Sequence, residues 1–370
     1  MKKVAVLTWF GRGRNYGQTL QAFALNHILR KLGYQCELLS YGKSGPRLSE
    51  EEINQLTGAQ RELQVKFTAF IKRYIDYSPR LREPEDVRRY LQERDFDAVI
   101  CGSDQIWNIP FYHFESTYML DFELPYQKIS YAAGMMDLPL LPAANQYPMI
   151  STWLEDFYAV SVRENAGREI IYTLTDGKVD PAVVLDPTLL LSTDEWIRSV
   201  ELPKIAREPY LFCYMFDMNE AQRALIQRMA ETYHCRTVVF LDTIRSSFPM
   251  LSEIHTELAQ CVSIEMFLSL VQHAQAVVTD TFHGTAFSVA FKKQFFSLEG
   301  ASGKPENNID RAATLLGKAG LTHRLLRRGQ EDMAQVEELI DYVNVGQRLD
   351  EERRRSLLWL ERAVAGTLRG

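Results

Sequence analysis

The stretch "KKVAVLTWFGRGRNYGQTLQAFALNHILRKLG", residues 2–33, sets the pattern for the rest of the chain. A short apolar run predicts a buried strand over Val4–Thr8, because parallel strands covered on both faces read as continuous apolar sequence. Gly11, Gly13, Asn15 and Gly17 then crowd a turn, and a helical pattern follows over Gln18–Leu32. Leu20, Phe23, Ala24, His27, Ile28 and Leu32 fall on adjoining faces of that helix. A strand, a glycine turn and an amphipathic helix make the first βα unit of a parallel sheet. Glycines let backbone approach a ligand, and a helix start offers N–H groups to an anion. The spacing Gly11-x-Gly13-x-x-x-Gly17 is neither the dinucleotide fingerprint nor a P-loop. Arg12 and Arg14 favour an anion site, while Asn15 equally suits a plain helix cap, and both readings stay open.

The same alternation continues along the chain. Strands are expected at Cys36–Ser40, Ala98–Gly102, Lys128–Ala133, Ala159–Val162 and Val183–Asp186, with a helix over Glu62–Tyr74 and a polar surface loop over 41–59. A second series gives strands at 210–216, 236–241, 276–280 and 294–298. Its helices are expected at Asn219–Thr232, Ser263–Ala274, Gly284–Phe291 and Asp310–Lys318. The break falls near Pro187–Arg207, and a long amphipathic helix over Arg348–Thr367 closes the chain. Two βα-rich halves predict an α/β protein of two Rossmann-like, doubly wound domains with a cleft between them. These are expected at 1–200 and 201–345, with 346–370 packing back on the first. Ligands are then expected just after strands.

Composition narrows the class. The 370 residues carry a net charge of −6, which does not favour nucleic acid as a partner. The basic run Arg353–Arg355 follows Asp350, Glu351 and Glu352, as on a solvated helix face. No two of the five cysteines lie within 20 positions, so neither a local zinc motif nor a disulfide framework is indicated, and buried thiols in a reducing compartment are expected. The N-terminus lacks a signal-peptide cleavage pattern, and no apolar run has the ~18–20 residues of a membrane span. A cytoplasmic protein without a metal or cofactor is expected.

Besides the opening turn, four stretches after strands carry chemistry. In "CGSDQIWN" (101–108), Asp104 and Asn108 suit hydroxyl groups, Ser103 is small, and Trp107 offers a face to a sugar. The alternative is a capped turn with a core Trp. In "SVRENAG" (161–167), Arg163 can fork a carboxylate or phosphate, or form a local ion pair. Asp186 in "VLDPTLLL" reads mainly as structural. The richest stretch is "VVTDTFHGTAFSVAF" (277–291). Here Asp280 and Thr281 end a strand, and His283, Gly284 and Thr285 open an apolar helix. His283 is a side chain that can move protons near neutrality, at a helix start suited to anions.

Taken together and in order, these stretches resemble the polysaccharide pyruvyltransferase family. The matching pieces are "NYGQTLQAFAL", "DAVICGSDQIWN", "SYAAG" with "SVREN", "VVLDPTLLL" and "VVTDTFHGTAFSVAF", across roughly residues 3 to 326. Thr281 stands where the family often has Ser, and the later Asn-x-Arg element is stretched to Asn308–Arg311. The resemblance implies a glycosyltransferase-like GT-B architecture. It also implies transfer of an enolpyruvyl-derived unit from phosphoenolpyruvate to a sugar diol, giving a pyruvate ketal and phosphate. His283 would be the acid, and Asp104 or Asp280 would receive a sugar proton. Arg163, Thr281, Gly284 and Thr285 would hold the donor. Arg14, Asn15, Tyr16, Gly17, Ser103 and Trp107 would face a sugar or lipid-linked oligosaccharide acceptor, and a lipid-linked acceptor would bring peripheral membrane association. Oligomeric state is left open. The rivals are a nucleotide-sugar glycosyltransferase of the same fold and a non-catalytic glycan- or metabolite-binding protein. A nicotinamide enzyme is weaker because the glycine spacing is wrong, although Glu37 is suitably placed for a ribose.

Overall fold

The first apolar run forms β1 (Lys3–Leu7), and everything in it after Lys3 is buried. That burial follows from its central place in a four-stranded sheet of order β2-β1-β3-β4, where β2 is Gln35–Leu38, β3 Ala98–Cys101 and β4 Gln127–Ser130. All pairings are parallel, with Val4 opposite both Cys36 and Ala98, and Ala98 opposite Gln127. The structure is a computed structural model, and it describes residues 2–11, 15–42, 48, 50–109, 114–135, 148–205, 208–240, 256–301 and 309–368. The chain divides into two compact units, Met1–Leu191 with Glu351–Gly370, and Ser192–Asp350.

In the first unit the pair β5 (Ser161–Val162) and β6 (Ala182–Val183) extends the sheet through single bridges, Ile129 to Ala159 and Ala133 to Val162. Two serines fasten this join. The Ser130 hydroxyl donates to the Ser161 carbonyl at 3.0 Å, and the Ser161 hydroxyl donates to the Ser130 carbonyl at 2.9 Å. The first helix, α1, runs over Tyr16–Lys31. Within 41–59, expected to be loop, a short helix forms at Glu50–Asn54 (α2); residues 43–47 and 49 lie outside the described residues. The next helix, Gly58–Tyr74 (α3), begins four residues before the expected start. Thr57 and Gln60 form a capping box there, exchanging bonds of 3.3 and 3.1 Å. The closing helix begins at Tyr342 and ends at Ala365. Its later part belongs to the first unit: Ser356 accepts the Leu185 N–H at 3.0 Å, and Arg353 donates to the Leu189 carbonyl at 2.9 Å.

The second unit holds a six-stranded parallel sheet of order β12-β11-β10-β7-β8-β9. Its strands are β7 (Tyr210–Tyr214), β8 (Arg236–Phe240), β9 (Thr256–Ala259), β10 (Ala276–Thr279), β11 (Gln294–Leu298) and β12 (Leu325–Leu326). Read from β9, this is the 3-2-1-4-5-6 order of a doubly wound fold, and the strand order reverses between β7 and β10. Ring contacts fill the core on one face, with Phe267 meeting Tyr214 at 5.0 Å and Phe287 at 5.9 Å. Cys36, Cys101 and Cys213 are free, buried thiols in β2, β3 and β7.

Candidate functional site

In the second unit the reversal point is built by the ends of β7 and β10. Asp280, the first residue after β10, accepts the Phe216 N–H at 2.9 Å and the Asp217 N–H at 3.3 Å, so one carboxyl ties the two strand ends together. Burial pushes its pKa up to about 7, against the lowering effect of those amides, and the nearby Asp217 carboxylate raises it further. Thr281 then caps the helix Phe282–Ala290, its hydroxyl accepting the Gly284 N–H at 2.8 Å. This cap starts the helix two residues before the expected Gly284. The Thr279 hydroxyl donates to the Tyr214 carbonyl at 2.6 Å and lies 3.0 Å from the Thr281 hydroxyl. Any Cβ on Gly284 would stand 2.0 Å from the Thr279 oxygen, so only glycine lets the helix seat this low over β10. Thr285 is turned inward, bonded to the Thr281 carbonyl at 3.1 Å and to Ser297 at 2.8 Å.

His283, in the first turn, keeps part of its surface open to solvent. Its ring meets Phe282 edge-on at 5.2 Å, and Phe282 in turn lies 5.3 Å beneath the guanidinium of buried Arg311. An imidazole, a carboxyl with a pKa near neutrality and an arginine thus gather around one helix start, a combination suited to proton transfer next to an anion. Asn308 lies outside the described residues.

In the first unit the strand order reverses between β1 and β3, and the site there is a buried polar knot. The Gln21 amide donates to Thr8 Oγ1 and to the Trp9 carbonyl, both at 3.0 Å, and accepts the Ser103 N–H at 3.2 Å. Thr8 donates to the Ser103 carbonyl at 2.8 Å. Gly102 has φ +116°, and a Cβ on it would lie 2.3 Å from the Tyr131 carbonyl oxygen. Asp104 follows at φ 71°, a left-handed conformation that Asp tolerates better than most residues. Its carboxylate accepts from Arg163 Nη2 at 3.1 Å, while Arg163 Nη1 binds Asp186 at 2.7 Å and Glu164 lies 3.8 Å from Nε.

Several residues expected to face ligands are turned elsewhere. Arg163 has a side chain 1 % exposed among three carboxylates, so its guanidinium organises Asp104 and Asp186 instead of presenting itself to a donor. Trp107 is fully buried, donating its indole N–H to the Tyr118 carbonyl at 2.9 Å and meeting Phe157 edge-on at 5.4 Å. Tyr16 is equally buried, against Phe67 at 4.8 Å. Gly17 is buried in the first turn of α1, and Ser103 donates to the Ala132 carbonyl at 2.8 Å. Asn15 is exposed and caps α1, accepting the Gln18 N–H at 3.1 Å. Arg14 lies outside the described residues. The structure therefore gathers Asp280, Thr281, His283, Gly284 and Thr285 in the second unit, and Ser103, Asp104 and Arg163 in the first.

Gln21, Thr8 and Asp217 were not singled out by the sequence reading. The signal for Gln21 was present: an amide amid the apolar residues of "TLQAFAL" has to be satisfied by something. Among the described residues no group of three or more His, Cys, Asp or Glu could hold a metal, and no helix is long and apolar enough to cross a membrane.

Residues 15–302 match the family model described as polysaccharide pyruvyl transferase. No curated protein matches the chain. Solved structures share its fold at low identity. MnaA of S. aureus with UDP superposes with a TM-score of 0.57 at 12% identity, covering 100% of this chain and 98% of its own. A putative UDP-N-acetylglucosamine 2-epimerase from Listeria monocytogenes gives 0.55 at 11%, covering 100% and 98%. AviGT4, a glycosyltransferase involved in avilamycin A biosynthesis, gives 0.50 at 14%, covering 99% of each chain. The fold is thus that of GT-B glycosyltransferases and epimerases, with two Rossmann-like domains.

Proposed function

Because the chain belongs to the polysaccharide pyruvyl transferase family, we propose that it moves a pyruvyl group from phosphoenolpyruvate to two hydroxyls of a sugar, leaving a ketal and phosphate. The observation that carries this reading is the helix start at Phe282, where His283, Asp280 and Arg311 gather. Phosphoenolpyruvate brings a carboxylate and a phosphate, for which a guanidinium and a helix N-terminus are suitable partners. In the proposed step His283 gives a proton to the vinyl C3. C2 becomes cationic, and a sugar hydroxyl adds to it with loss of its proton. The second hydroxyl then displaces phosphate, which leaves carrying the second hydroxyl proton. No redox partner is required.

Asp280 is the better candidate than Asp104 to take a proton from the sugar. Its pKa of about 7 suits exchange at neutral pH, while the Asp104 carboxylate is neutralised by Arg163. Thr281, Gly284 and Thr285 shape the helix start with their side-chain bonds and close packing. The first unit, with Asn15 at the mouth of α1, is assigned to the acceptor.

The test is phosphate release from phosphoenolpyruvate over a panel of sugar diols. His283→Ala should lower the rate by about 10²–10⁴-fold, the usual worth of a positioned acid, and change phosphoenolpyruvate affinity far less. An unchanged rate would remove His283 from the mechanism. The rival reading draws on the fold: neighbours include an enzyme seen with UDP and a glycosyltransferase, so a nucleotide-sugar donor must be tested beside phosphoenolpyruvate.

A further inference from the structure

Arg324 ends the turn Thr322–Arg324, immediately before the edge strand β12, and is 1 % exposed. Its Nη2 donates to the Glu338 carbonyl, and its guanidinium lies 5.0 Å from the centre of the Phe296 ring. Nε and Nη1 have no hydrogen-bond partner, and among the described residues no carboxylate lies within ion-pair distance. Arg163, the corresponding buried guanidinium of the first unit, is surrounded by three carboxylates. A buried guanidinium with no ion-paired partner is costly to hold; burial pulls the Arg324 pKa below its ordinary value, and the Glu338 carboxylate, outside ion-pair contact, offsets only part of that.

The same side chain lines a cavity of about 260 Å³, together with Phe296, His323, Gln330, Gln335 and Glu338. Gln330 and Gln335 carry amides that can donate, and His323 is an exposed imidazole. Glu338 is the one acidic group on the wall, and it is exposed to solvent. We propose that this cavity binds a small oxyanion, a carboxylate or a phosphate, whose charge completes Arg324. The guanidinium charge attracts either group to the wall, and the amides of Gln330 and Gln335 and the imidazole of His323 can donate to it. The volume admits inorganic phosphate or a short carboxylic acid, but falls below the roughly 300–1,000 Å³ of sites for larger ligands such as nucleotides. The site is separate from the helix start that carries His283, because β11 stands between β12 and β10. Arg324 touches both β11, through Phe296, and the segment that holds Glu338, so a bound anion would fasten that segment to the sheet edge.

The experiment is thermal unfolding of the full chain at constant ionic strength, with chloride exchanged stepwise for inorganic phosphate in one arm and for acetate in the other. A ligand that binds only the folded state raises the midpoint along a saturation curve. The arm with the larger rise identifies the preferred anion. The wild-type midpoint should rise, His283→Ala should keep most of that rise, and Arg324→Met should lose most of it, the remainder coming from the helix start proposed for phosphoenolpyruvate and from general stabilisation by salt. Gln335→Glu places a carboxylate on the cavity wall, so it should shrink the anion-dependent rise several-fold; this variant carries the test if Arg324→Met does not fold. No rise in the wild type, a rise unchanged in Arg324→Met or Gln335→Glu, or a rise lost in His283→Ala would overturn the proposal.

Discussion

Gly284 has the least freedom of the residues around His283. A methyl group there would meet the Thr279 and Thr281 oxygens at 2.0 and 2.7 Å, so Gly284→Ala should destabilise the protein by about 1–3 kcal/mol, the usual cost of overpacking. Chemical denaturation measures this directly, and a change near zero would show that the helix start can lift away. Asp280 makes a pH prediction. Its pKa is about 7 in the folded protein against 3.8 for an ordinary Asp, so between those values the unfolded chain releases a proton that the folded chain keeps. Stability from this group should therefore be greatest below about pH 4, where both states are protonated, and fall as pH rises toward 7. Asp280→Asn should flatten that fall, and it should lower stability overall because an amide cannot accept the Phe216 and Asp217 N–H bonds equally well. A profile as steep as the wild type's would show that another group sets the slope. The same scale shows where sequence stops informing. Trp107 and Tyr16 are residue types that stack on sugars or fill cores with equal ease. Only the Tyr118 carbonyl and the Phe67 ring, brought up from elsewhere in the chain, settle them as core.

At the scale of elements, the polar knot at β1 and β3 ties a helix to two strand ends through one amide. Gln21→Leu is close in volume but strands the Ser103 N–H and removes the donor to Thr8 Oγ1 and the Trp9 carbonyl. A loss of about 1–3 kcal/mol is expected for each buried group left unsatisfied, read from the urea midpoint. Arg163→Met should cost more, about 3–5 kcal/mol, because it leaves Asp104, Glu164 and Asp186 buried without their cation. Its loss of activity would therefore report on folding before chemistry, and an Arg163→Met protein as stable as wild type would contradict the cluster's structural role. The long strands were legible as apolar runs, since Val4–Leu7 and Ala98–Cys101 are buried on both faces of a parallel sheet. β9 and β12 were not, because β9 reads TELA, with two polar residues among its four, and β12 has only two residues. The early start of the helix at Phe282 was legible only in hindsight: Thr281 is three residues before Gly284, the spacing of a cap, but the glycine drew the boundary instead.

At the scale of the whole molecule, two parallel sheets with reversed strand order each place their polar residues at the carboxyl ends of strands, where doubly wound folds bind ligands. The alternation of apolar runs and amphipathic helices showed that architecture in advance, and the family model spans most of it. Fold alone does not choose the donor, since epimerases and glycosyltransferases share it. The proposal of phosphoenolpyruvate rests on the family, and the helix start with His283, Asp280 and Arg311 is the site proposed to hold it. The most direct measurement is calorimetric titration of the wild-type protein with phosphoenolpyruvate and, separately, with UDP-sugars. The account predicts saturable heat with phosphoenolpyruvate and none with UDP-sugars. Binding of a UDP-sugar without binding of phosphoenolpyruvate would contradict it and move the chain to nucleotide-sugar chemistry.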